Sequence, residues 1–258
     1  MQFSEAQILQ LLGAWLWPFV RIGGFVMAAP VIGTRAVPLR IRMILVLALT
    51  GVLAPVVAPA AGVDPLSADG WLTTAHQLFI GATIGLVLRL AFFVFEFAGQ
   101  LVAQQMGLGF ASLVDPTSGA QVPVLAHFYI ILATLLFFVF DAHLVLIELL
   151  ADSFTLLPIG PQGITAAGAD AVVRWSAGLI GDGLLLSLPI VVALLAINFA
   201  LGVMGRAAPQ LNLFAVGFPV MILIGIVLVL VTLDGFAGFT GGLFDDAFLT
   251  TRTALEAR

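Results

Sequence analysis

Six apolar stretches, each close to or beyond the length of a bilayer crossing, dominate the chain: residues 8–29, 43–61, 71–103, 122–150, 171–204 and 211–233. A membrane-spanning helix takes roughly 20 apolar residues. Inside lipid the backbone has no water to bond to, so such stretches close their own hydrogen bonds as helices. Composition agrees: of 258 residues 62% are hydrophobic and 9% charged, with a mean hydropathy of +1.20. Soluble domains carry about 25% charged residues, so this surface must face lipid or tightly packed partners. The expected fold is therefore an all-α membrane protein of about six long, partly kinked hydrophobic helices. No length remains for a sizeable soluble domain, so residues 1–258 read as one unit.

The third, fourth and fifth stretches are longer than a crossing requires, which implies tilt, a kink or protrusion. Pro18, Pro189 and Pro219 lie inside stretches; each removes a backbone donor and is expected to bend its helix. Gly81 and Gly85 form a small-xxx-small pair, and Gly178, Gly181 and Gly183 a second face suited to close helix packing. Arg35, Arg40 and Arg42 mark the first loop and Arg206 the fifth, whereas Asp64 and Asp69 mark the second and Asp152 and Asp170 the fourth. The positive-inside rule then puts loops one, three and five in the cytoplasm and both termini opposite. No basic residue precedes the first stretch, and Ser4 with Gln7 fits a capping box, so that segment is expected to stay in the mature protein.

Several function classes drop out. The formal net charge is -5, from 14 acids against 9 bases, which offers nucleic acid no basic face. Cysteine is absent, and His76, His127 and His143 are scattered without HExxH spacing. No nucleophile elbow or phosphate loop is present, and Gly107-Leu108-Gly109 is a lone GxG of little weight. An enzyme is therefore disfavoured, and no catalytic residue, cofactor or metal is expected.

Ionisable groups deep in the stretches are Arg21, Arg89, Glu96, Asp141, His143, Glu148 and Asp182. A charge at a helix centre costs roughly 2.5–3.5 kcal/mol on insertion scales, so these side chains should face helices, subunits or water. Arg89 and Glu96 share one helix face, as do Asp141 and Glu148. Arg89, Glu96, Asp141 and Asp182 fit two readings. They are buried charges between helices or subunits, the simpler reading, or relay groups of a small-solute or proton-coupled transporter.

The third loop is unusual. Residues 104–119 combine two flexible glycines with Met106, Leu108 and Phe110, then turn at Asp115-Pro116. Three large apolar groups on flexible backbone are costly in water. Burial in protein or placement in a narrow pore avoids that cost. The residues alone fit a gate and a packed re-entrant loop equally.

The run Phe95-Glu96-Phe97-Ala98-Gly99-Gln100, then Gln105-Met106-Gly107-Leu108-Gly109-Phe110-Ala111 and Asp115-Pro116, resembles the FliR family of flagellar biosynthetic proteins. So do Arg206-Ala207-Ala208-Pro209-Gln210-Leu211-Asn212 and Gly217-Phe218-Pro219, and the resemblance covers essentially the whole chain. It implies a non-enzymatic core subunit of the type III export gate in the bacterial inner membrane, at the flagellar basal body. FliP and FliQ are the implied gate partners, FlhB associates with the gate, and unfolded flagellar proteins are the exported substrates. Residues 1–165 would be a FliP-like part and 171–235 a FliQ-like hairpin whose cytoplasmic tip holds Arg206, Pro209, Gln210 and Asn212. Met106, Gly107, Leu108, Gly109, Phe110, Ala111 and Ser112 would plug the pore. Bulky apolar groups can seal a constriction by dewetting it.

Overall fold

A computed structural model describes residues 5–34, 37–57, 63–108, 124–207 and 213–257. Within these residues the chain is all helix: α1 (Glu5–Ala28), α2 (Leu39–Leu53), α3 (Ala68–Gln105), α4 (Val124–Val139), α5 (Ala142–Leu156), α6 (Ala166–Ala207) and α7 (Leu213–Glu256). The proposed capping box at Ser4 lies outside the described residues.

Among the described residues four helices, α1, α3, α6 and α7, are long and apolar enough to cross a membrane, and α4 with α5 adds a fifth if the bent pair counts as one span. One expectation changes. The second stretch yields only the 15 residues of α2, about 22 Å at 1.5 Å per residue, short of a roughly 30 Å hydrocarbon core. The fourth stretch, whose length implied a kink, breaks into α4 and α5, which meet at 70°. That break lies at Asp141, whereas α1, α6 and α7 continue through Pro18, Pro189 and Pro219. Asp141 takes the left-handed conformation, φ 54 and ψ 19, which Asp tolerates better than most residues. Its carbonyl accepts from Leu144 N–H at 2.8 Å and starts α5. Pro158, directly after Leu157, stops α5.

The seventh helix runs 44 residues, to Glu256, far past the apolar stretch that ends at 233. Its continuation is amphipathic. Phe236, Thr240, Leu243, Phe244, Ala247, Thr251, Ala254 and Leu255 are buried, a spacing of three and four that makes one helix face. The buried hydroxyls of Thr240 and Thr251 donate to Phe236 and Ala247 carbonyls at 2.7 and 2.8 Å. The starts of α3 and α6 are capped by side chains. Gly70 N–H donates to Ser67 Oγ, and Gly168 N–H to Thr165 Oγ1, each at 3.1 Å. Thr165 Oγ1 in turn donates to Ala257 O at 2.9 Å, tying the start of α6 to the end of α7.

The helices assemble two compact units. The first comprises Met1–Ala91, Asp141–Ala177 and Phe244–Arg258; the second comprises Phe92–Phe140 and Gly178–Leu243. In the first, α1 lies almost backbone to backbone on α3. A Cβ at Gly81 would run into the Arg21 carbonyl, and one at Gly85 would lie 2.7 Å from Ala29 N and Phe25 O. The small-xxx-small pair is thus a helix-packing seam. In the second, α3, α4 and α7 share an aromatic core. The ring centroids of Phe92 and Phe137 are 5.9 Å apart, and those of Phe95 and Tyr129 each lie 5.4 Å from Phe236.

Candidate functional site

The α3 helix ends where the candidate plug begins. Gly107 has φ 82 and its N–H bonds to Gln104 O at 3.0 Å. This left-handed exit is one that only glycine takes without strain. Met106, one residue earlier, is 1% exposed. Its Cγ, Sδ and Cε all lie 2.6 Å from where a Cβ would sit on Gly225 of α7. Met106 is therefore a packed anchor on α7, and the missing side chain at Gly225 makes its seat. Leu108 is half-buried. Gly109, Phe110, Ala111 and Ser112 lie outside the described residues, as do Pro209, Gln210 and Asn212 of the proposed hairpin tip. Arg206 is exposed in the last turn of α6.

The four charges expected between helices divide. Glu96 and Asp182 are half-buried, and Glu96 accepts a long 3.5 Å bond from Gln100 Nε2. Arg89 and Asp141 are exposed on the chain by itself. On the lone chain Asp141 faces outward at the α4–α5 break. Contact with a neighbouring subunit belongs to the assembly proposed below.

The charge that is buried is Arg21, 0% exposed. Its Nε donates to Gln77 Oε1 at 2.7 Å. Its Nη1 donates to Ser153 O at 2.7 Å and to Ser153 Oγ at 3.2 Å, and its Nη2 to Leu157 O at 2.8 Å. The guanidinium also lies 4.2 Å from the Phe154 ring centroid. Trp17, one turn earlier on α1, donates to Thr74 Oγ1 at 3.2 Å. A polar seam thus joins α1, α3 and α5 inside the first unit. It is incompletely satisfied: Thr73 Oγ1, His76 Nδ1 and Gln77 Nε2 are buried without a partner among the described residues. Sequence reasoning flagged Arg21 but missed the seam. Thr73, Thr74, His76 and Gln77, four polar residues grouped in one apolar stretch, were the readable signal.

In the second unit a cavity of about 300 Å³ is lined by Tyr129, Leu185, Pro189, Thr232, Phe236 and Phe239, among others. Pro189 has no N–H, so the Leu185 carbonyl loses its helical partner there. Among the described residues no group of three or more His, Asp or Glu side chains could hold a metal ion.

A family model described as bacterial export proteins, family 1, matches residues 12–247. The flagellar biosynthetic protein FliR of Pectobacterium carotovorum subsp. carotovorum is 40% identical over 248 residues, 96% of this chain and 95% of that relative. The chain belongs to the FliR family. FliR of Escherichia coli strain K12 is 36% identical over 248 residues, again 96% of this chain and 95% of that protein. FliR of Caulobacter vibrioides is 33% identical over 220 residues, 85% of this chain and 88% of that protein. The family match takes in residues 12–28 of α1 with Arg21, the Met106 seat on Gly225 and all of α6. This FliR-family chain is thus an all-helical membrane protein of a bacterial export family.

Proposed function

We propose that this chain is a core subunit of the flagellar type III export gate in the bacterial inner membrane, at the flagellar basal body. It assembles with FliP and FliQ, FlhB associates with the gate, and unfolded flagellar proteins pass through. The match to the bacterial export family across residues 12–247, together with FliR relatives that cover 96% of the chain, carries this reading. Large uncovered apolar faces support it: Leu185, Val192 and Phe199 of α6 and Leu223 and Val231 of α7 are more than half exposed on the lone chain. Such faces need lipid or neighbouring subunits. In this reading residues 1–165 are the FliP-like part. Residues 171–235 form the FliQ-like hairpin with Arg206, Pro209, Gln210 and Asn212 at its cytoplasmic tip. The work is not enzymatic; energy comes from elsewhere in the apparatus.

Met106 and Gly107 anchor the plug and set its exit, and Leu108, Gly109, Phe110, Ala111 and Ser112 supply the seal. The test measures ion conductance of cells that express the complete gate, beside complex yield on a native gel. Phe110→Ala raises the leak, and deletion of 108–112 raises it more, with yield retained. An intact complex with the segment deleted and no added conductance rules out the plug as the sole seal.

A further inference from the structure

We propose that Arg21 is a positioning residue: the fully buried side chain of α1 acts as a C-cap of α5 and closes the end of that short helix from within the first unit. This inference goes beyond the gate reading and does not depend on it.

The α5 helix has 15 residues, about 22 Å, too few to carry both ends out of a roughly 30 Å hydrocarbon layer. A helix end leaves its last carbonyls without helical donors. In lipid or in a dry protein interior each such group must find another donor. Arg21 supplies a donor to one of them, Leu157 O, and a second bond to Ser153 O in the same turn. Its fork reaches Ser153 O at 2.7 Å and Leu157 O at 2.8 Å, the carbonyls of the last turn and of the C-cap residue. Ser153 O already accepts from Leu157 N–H at 3.0 Å, so the guanidinium braces the closing bond of the helix. Ser153 Oγ donates to Leu150 O at 2.6 Å, which leaves its lone pairs free for Arg21. From the far side Gln77 Oε1 accepts from Nε and fixes the plane of the fork.

Among the described residues, the groups that accept from Arg21 include no carboxylate. The negative end of the α5 dipole offsets the charge, and the Phe154 face adds to this. Complete burial excludes the alternative that Arg21 awaits an acidic group on a partner. Lysine would bring one point donor where the geometry uses a fork.

The chain has no cysteine, so single-cysteine variants report cleanly. Ile159, two residues past the cap, is 9% exposed, and Ala133 of α4 is 0% exposed. Alkylation of Ile159→Cys and Ala133→Cys by N-ethylmaleimide is timed in membranes holding the full chain. Each is combined with Arg21, Arg21→Lys or Arg21→Met. Loss of charge-assisted bonds to two carbonyls predicts at least about tenfold faster reaction at 159 with Met, a smaller acceleration with Lys, and no change at 133. Unchanged rates at 159 in both variants overturn the proposal. If Arg21→Met fails to fold and opens both positions, Arg21→Lys decides. Acceleration at 159 alone supports the cap, and equal rates of change at 159 and 133 overturn it.

Discussion

The costliest side chains in this protein are polar groups taken fully out of water. Arg21 is tolerated because its donors meet carbonyls, a hydroxyl and an amide oxygen. Thr73 is the opposite case, a buried hydroxyl without a partner among the described residues. A buried polar group left unbonded costs about 1–3 kcal/mol, so the near-isosteric Thr73→Val should stabilise the protein by up to about 1 kcal/mol. Thermal unfolding in detergent reads this as a higher Tm; a lower one means that the hydroxyl is bonded in the folded chain. Gly225 gives a second residue-scale test. A side chain there meets Met106 at 2.6 Å. Gly225→Val should cost about 1–3 kcal/mol by overpacking, and Met106→Ala in the same chain should recover part of it. Additive losses in that double variant would separate the two residues.

Among the elements, the α4–α5 break is the most informative. A charged residue in an apolar stretch invites a search for its ion partner, yet Asp141 is exposed and serves through its backbone. At φ 54 glycine is unstrained and a β-branched residue is not. Asp141→Gly should leave stability within about 0.5 kcal/mol, whereas Asp141→Val should cost about 1–2 kcal/mol. Denaturation of both variants checks this, and equal effects would mean that the carboxylate matters more than the backbone. The hairpin proposed over residues 171–235 makes a topological prediction. By the positive-inside rule Arg206 puts its tip in the cytoplasm; on that reading a cysteine at Gln210 should react with impermeant thiol reagents from the cytoplasmic side. Labelling only from the periplasm would reverse the hairpin.

For the whole molecule the governing quantity is uncovered apolar surface. Leu185 and Val231 are 63% and 69% exposed, and Phe199 76%. Some of that surface is lipid-facing, but Arg89, exposed on the same chain, cannot rest in hydrocarbon cheaply. The chain expressed alone should therefore run as aggregates in size exclusion, and co-expression with FliP-like and FliQ-like partners should shift it into a defined complex. A monodisperse, stable monomer would count against an obligate place in an assembly.

The membrane class, the all-helical fold and the FliR resemblance were legible in residue order because each rests on local facts. Runs of apolar residues force helices in lipid, and Met106-Gly107-Leu108 with its neighbours is a contiguous word. The course of α7 past residue 233 was missed: the three-and-four spacing from Phe236 to Leu255 was there to read, but charge and glycine hid it from a reading by hydropathy. Partnership was not legible. The sequence marks Arg21 as a charge in an apolar run but does not say that it meets Ser153 and Leu157, 132 and 136 residues away. Nor does it say that Met106 seats on Gly225. Those pairings depend on which helix faces which, set by the near-contact of α1 and α3 at Gly81 and Gly85 and by the break at Asp141. Local order determines which segments become helices; only packing of distant segments decides which buried polar groups find partners.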